Sequence, residues 1–168
     1  MGRINIKVSG GCQCGAVRYP ATAMLDNAHI CHCRMCQKAV GNFFAALVAA
    51  PNDALTFTRG TPSVFLSSEH VHRGFCAKCG TPLFYKSLTG KHTTLTIGSL
   101  DNPRAFPPKL QDGVESRLPY FASLHAIESE TTTEHESEAW AAAIKASSRQ
   151  HPDHDTDVWP PKNGVHHG

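Results

Sequence analysis

No apolar run in the sequence approaches the roughly 20 residues that would span a bilayer, and FFAALVAAP at 43–51 reads as a buried strand or short core segment. A membrane protein is excluded. The opening MGRINIKVSGG has no apolar stretch long enough for a signal peptide. Charge is sparse at 18% of residues while hydrophobic residues reach 40%, a balance that excludes a disordered chain, a collagen and a coiled coil. No internal repeat appears beyond a recurrence of cysteine pairs, and the net charge of +2 points to no partner by itself. At 168 residues the chain is one domain in size. Such a chain buries roughly 70% of its unfolded surface, so disulfides are not needed merely to fold.

Cysteine and histidine are what the sequence has in excess, at seven and 11 residues. An odd cysteine count cannot be fully paired within one chain, and with no signal peptide the expected home is a reducing, cytoplasmic one, where clustered thiols more often bind metal. Charge is unevenly divided. Residues 1–124 hold 13 basic and 6 acidic side chains, a net +7, whereas 125–168 hold 3 and 8, a net −5. The expectation is therefore a basic domain over 1–124 and an acidic, His-rich C-terminal extension over 125–168. The stretch 150–168, with His166 and His167 near its end, reads as flexible.

Short β-branched or aromatic runs recur between Gly, Pro, Asn and Asp: INIKV (4–8), AVRY (16–19), AHIC (28–31), FFAALVA (43–49), ALTFT (54–58), SVFL (63–66), HRGFC (72–76), PLFYK (82–86) and TTLTIG (93–98). That spacing predicts an all-β domain. In ALTFT the alternation of Leu55 and Phe57 with Thr56 and Thr58 puts one face on a core. The one helix it predicts is 134–149, with Thr133 and Glu136 as a capping box and Trp140 and Ile144 as its apolar stripe.

All seven cysteines fall into three clusters: Cys12 and Cys14, then Cys31, Cys33 and Cys36, then Cys76 and Cys79. The first and third are two pairs. Gly15 and Gly80, directly after Cys14 and Cys79, give the backbone freedom that a metal-binding turn uses, and four thiolates make a closed tetrahedral zinc site of the structural kind. The middle cluster has three thiolates and no obvious fourth partner, and three protein ligands leave a position for water or substrate, the mark of a working zinc. An exogenous thiol suits such a soft site. His32 is the counter-candidate for closing it, although its position between two ligands on an extended segment turns it to the opposite face. The competing readings are one four-cysteine zinc with three idle thiols, disulfides in an exported chain, unligated core thiols, and a redox pair at Cys33/Cys36 or Cys76/Cys79. Thioredoxin-type redox pairs start a helix after a strand in a βαβ unit, which the sequence pattern does not predict here.

The linked motifs GGCQCGAVRY (10–19), CHCRMCQKAVG (31–41), RGFCAKCGTPLFY (73–85) and GSLDNP (98–103) resemble the glutathione-dependent formaldehyde-activating family, which includes the centromere protein V type of domain. The likeness spans about residues 8–121, and RLPYF (117–121) stands where many relatives carry a Trp-containing segment. The resemblance implies a small, tent-like β fold of short antiparallel sheets with two zinc ions. One is structural, on Cys12, Cys14, Cys76 and Cys79; the other faces substrate, on Cys31, Cys33 and Cys36. It also implies a carbon–sulfur lyase that interconverts formaldehyde and glutathione with S-hydroxymethylglutathione.

Beside the clusters, Arg34, Lys38, Arg73 and Lys78 are candidates for the carboxylates of glutathione. Asp101 reads as the cap of a turn, with a proton-shuttling role as the rival. Phe43, Phe44, Phe75 and Phe84 read as core. The expected partners are thus a small thiol and an aldehyde. The alternative is a non-catalytic module with both ions structural and the basic body on an anionic partner; no basic stripe with interleaved aromatics marks a nucleic-acid binder.

Overall fold

The structure, a computed structural model, describes residues 2–160. His166 and His167 lie outside them. Eleven short strands carry most of the regular structure: β1 (Arg3–Ile4), β2 (Val8–Gly11), β3 (Arg18–Ala21), β4 (Met24–Leu25), β5 (His29–Cys31), β6 (Ala45–Pro51), β7 (Ser63–Ser68), β8 (Val71–Phe75), β9 (Pro82–Ser87), β10 (His92–Thr96) and β11 (Leu110–Asp112). Seven of them form a sheet in the order β11–β5–β6–β10–β9–β8–β7, antiparallel except at β11–β5. β1–β4 and β2–β3 are separate two-stranded ribbons. The fold is mainly β. Among the described residues no helix is long and apolar enough to cross a membrane.

β6 shows why a continuous apolar run makes a central strand: Leu47 through Pro51 are all buried, since both faces of the strand are covered. Tyr19, Met24, Val48, Leu83 and Leu95 are fully buried and form the heart of the core, into which Cys12, Cys14 and Cys76 are built. Leu55 and Phe57 also pack on that core as their alternation predicts. Their segment is not a full strand, however. It lies along β3 through single bridges, with Thr56 and Thr58 donating to the carbonyls of Pro20 and Arg18.

Three features depart from expectation. A short helix, α1 (Arg34–Val40), follows β5 directly and is closed by Gly41 at φ 64°; seven residues are too few to show helical periodicity. The expected helix 134–149 is divided into α2 (Thr132–His135) and α3 (Glu138–Ala146). Ser137 caps α3 by accepting from the Trp140 amide, which stops α2, so the capping box sits at Thr131 and Glu134 rather than Thr133 and Glu136. Trp140 and Ile144 are half exposed. Finally, residues 150–160 are not free: His151 is buried and Trp159 packs on the core.

Candidate metal centres and an adjoining cationic cleft

Cys12 and Cys14 leave β2 in a tight turn in which Gly15, at φ 74°, donates to the Cys12 carbonyl. The hairpin of β8 and β9 makes the matching turn: Gly80, at φ 75°, donates to the Cys76 carbonyl at 2.8 Å. The two turns face each other, and the Gln13 amide donates to Thr81 Oγ1 at 3.0 Å. The four sulfurs lie within 4.8 Å of one another, with Cys12–Cys14 at 3.6 Å and Cys14–Cys76 at 3.9 Å. A tetrahedron with Zn–S bonds of about 2.3 Å sets its sulfurs about 3.8 Å apart, so the donor set fits zinc in both chemistry and spacing.

Burial pushes the Cys12 and Cys14 thiols well up. For Cys79 burial is outweighed by the Thr81 hydroxyl and amide and the Cys14 amide, which bring it down to about 6.

The second group gathers Cys31, Cys33 and Cys36, whose sulfurs also lie within 4.8 Å of one another. Cys31 ends β5, Cys33 is the residue before α1, and Cys36 lies within the helix. Cys31 and Cys33 are 3.4 Å apart. A cysteine pair therefore does sit at a strand-to-helix junction, contrary to the expectation from the sequence, but β5 and β6 around α1 are antiparallel and the third thiol completes a group that could hold a metal ion. Burial pushes Cys31 up to about 12. Cys33 is held below its ordinary value because the Cys36 amide, the neighbouring thiols and Arg73 outweigh its burial. Cys36 is raised by burial, with Arg73 opposing.

His32 turns away from this group. Its ring is fully buried between Phe44 and Phe121, 4.6 Å from the latter, with Nε2 at 3.0 Å from Gln111 Oε1. All four donors of one set and all three of the other are cysteines, and among the described residues no His, Asp or Glu joins either.

Of the basic side chains singled out in the sequence, Arg73 comes closest to the sulfurs. Its Nη2 donates to Cys36 Sγ at 3.5 Å, its Nε donates to Ser67 Oγ at 3.2 Å, and its guanidinium lies over the Tyr85 ring. Arg34, Lys38 and Arg73 line one cavity of about 430 Å³ with Met35 and Phe65. Lys78 does not share it and lies over Trp159 on the other side. Asp101 is also elsewhere: it accepts from Arg18 and Ser9 and lines a cavity beside Cys12 and Cys79. Its carboxylate thus holds a buried arginine, a use neither turn capping nor proton shuttling anticipates.

The sequence profile of the glutathione-dependent formaldehyde-activating enzyme family matches residues 7–116. The chain belongs to that family. A crystal structure of a Rhodobacter sphaeroides protein from structural genomics is similar in fold, with 22% identity and a TM-score of 0.50 over 61% of this chain and 98% of that one.

Several residues that build these centres in this family member escaped the sequence reading. Gln37 ties α1 down by donating to the carbonyls of His32 and Ser116 at 2.8 and 3.0 Å. Gly113, at φ 62°, passes against the Cys33 backbone. Beyond the matched span, residues 150–160 strap the first turn: the His151 amide donates to the Gln13 carbonyl and Trp159 Nε1 to the Cys14 carbonyl, both at 2.7 Å. Asp155 pairs with Arg18 at 2.8 Å. The lone Trp in a polar tail was the signal available. Phe43 is exposed against Tyr120 rather than core, whereas Phe84 packs on the core.

Proposed function

We propose that the chain is a zinc-dependent carbon–sulfur lyase acting on thiol adducts of formaldehyde or a related small aldehyde, with glutathione as the thiol. The observation that carries this reading is the incomplete sulfur triad next to a cleft lined by three cations and no carboxylate. Cys31, Cys33 and Cys36 would hold the working ion, and Cys12, Cys14, Cys76 and Cys79 the structural one. Zinc on the triad supplies a lowered thiol pKa and a fixed position for an incoming sulfur.

In the forward direction the substrate sulfur forms a bond to the carbonyl carbon, the carbonyl π pair moves onto oxygen, and that oxygen takes up the proton the thiol gave up. The lyase direction is the reverse, and no oxidant or reductant is consumed. Three thiolates and one divalent ion sum to −1, a poor Lewis acid, so the chain's contribution is to orient and activate the thiol. Arg73 offsets charge at Cys36; Arg34 and Lys38 stand ready for the carboxylates of glutathione. Seven free thiols suit a reducing cytoplasm.

Elemental analysis should find about two zinc ions per chain. Cys33→Ser should lose about one and remain folded, whereas Cys79→Ser should unfold. NMR exchange measurements on formaldehyde and glutathione should show adduct formation accelerated by the zinc-replete protein. No acceleration, together with salt-dependent retention on nucleic acid, favours the non-catalytic module instead.

A further inference from the structure

The cationic cleft does not end at Arg73. Behind it, between α1 and the sheet, lies a second cavity of about 230 Å³, and the two share Ala39, Phe65 and Arg73. The inner cavity is walled chiefly by Val40, Ala45, Leu47, Phe75, Pro82 and Phe84. Ala45 and Leu47 also share a buried cluster with Cys36, against which Cys31 and Cys33 pack. The inner wall is therefore continuous with the sulfur triad, and Arg73 stands where cationic mouth, apolar interior and Cys36 meet.

We propose that the thiol adduct taken by this site carries an apolar carbon chain, so that the aldehyde portion is a medium-length alkyl or aryl aldehyde rather than formaldehyde alone. The inference rests on the lyase reading for the reaction and on the cavity for the size. At about 30 Å³ for each water-sized group, the inner cavity of about 230 Å³ holds roughly eight such groups, and formaldehyde fills one or two. No carboxylate lines either cavity. Charge complementarity thus puts the carboxylates of the thiol in the mouth, over Arg34 and Lys38, and the aldehyde's carbon chain inward past Arg73. The chemistry is the addition already described, with the same balance of bonds and protons. Ala39, exposed on α1 at the junction of the two cavities, sets the width of the passage.

The test uses the full, zinc-replete chain. Calorimetry compares S-hexylglutathione with S-methylglutathione, two thioethers that differ only in chain length; the hexyl compound should bind roughly tenfold or more tightly, because methylenes entering an apolar pocket add affinity. Ala39→Leu narrows the passage and should bring that ratio near one while the zinc content stays at the wild-type value, which shows that the variant is folded. In the exchange assay hexanal should outperform formaldehyde in kcat/KM. Equal binding of the two glutathione compounds, or an unchanged ratio in Ala39→Leu, overturns the inference whatever the catalytic result. Selective alkyl binding without turnover of any aldehyde supports the cavity and overturns the lyase reading instead.

Discussion

His151 has its ring pressed over Gly15 and stands close to Arg18, Arg59, Asp101 and Asp153. Its Nδ1 donates to the Pro152 carbonyl at 2.7 Å, which leaves Nε2 as an acceptor, 3.1 Å from Thr156 Oγ1 and 3.3 Å from the Arg59 guanidinium that donates to it. A proton on Nε2 would replace that bond with a clash of cations. Burial first, then Arg18 and Arg59, therefore hold the imidazole below its ordinary value, against the opposing pull of the Pro152 carbonyl and Asp101. A histidine whose folded value is depressed binds fewer protons folded than unfolded. Its contribution is fully present above about pH 6.5 and is lost as pH falls through the lower folded value. Protection against hydrogen exchange at 151–159, taken relative to the intrinsic exchange rate at each pH, should accordingly fall several-fold between pH 7.5 and 5, and His151→Gln should flatten that dependence. Equal pH profiles for the two proteins would show that His151 is not the group that titrates.

The element that orients the triad is α1, and it is held by contacts outside its own sequence. Gly113 is one of them: a Cβ there would lie 2.7 Å from the Cys33 nitrogen, and φ 62° already disfavours a side chain. Gly113→Ala should cost roughly 2 kcal/mol and loosen the triad's metal more than the other ion, as measured by denaturation and by competition with a graded chelator. Equal weakening of both ions would show that the contact is merely structural. The same element shows what a sequence can carry. Cysteine spacing was legible because each cluster is local, and the sheet strands were legible because β-branched runs stand between turn residues. α1 was not, since its seven residues are fixed by Gln37 reaching Ser116, 79 positions away. The strap at 150–160 was illegible for the same reason: its order comes from Arg18, Arg59 and the Cys14 carbonyl, and apart from Trp159 nothing in its own polar composition points to a fold. His32 was legible in direction from strand alternation, although its aromatic partners were not.

At the scale of the whole molecule the two sulfur groups close loops of very different length. The triad spans Cys31 to Cys36 and ties a strand to the helix that follows it. The four-cysteine group joins the turn after β2 to the β8–β9 turn, with Cys14 and Cys76 separated by 62 positions, and its members Cys12, Cys14 and Cys76 belong to the main hydrophobic core. An ion on that group would be held by the folded chain and not by the unfolded one, so its binding free energy would add directly to folding stability, against the roughly 5–15 kcal/mol by which folded domains are stable. Thermodynamics and access thus act in the same direction, because the triad is less buried and has less to lose. Titration of the zinc-replete protein with a chelator should release one ion per chain with little change in circular dichroism. The second should leave together with the β signal, and the melting temperature should fall by roughly 10 °C or more at that step. Removing the strap by truncation after residue 149 should bring the second step to lower chelator concentration without moving the first, since the strap is held at the Cys12–Cys14 turn, Arg18, Arg59 and Lys78. Simultaneous release of both ions, or loss of structure with the first, would mean that the triad also supports the fold.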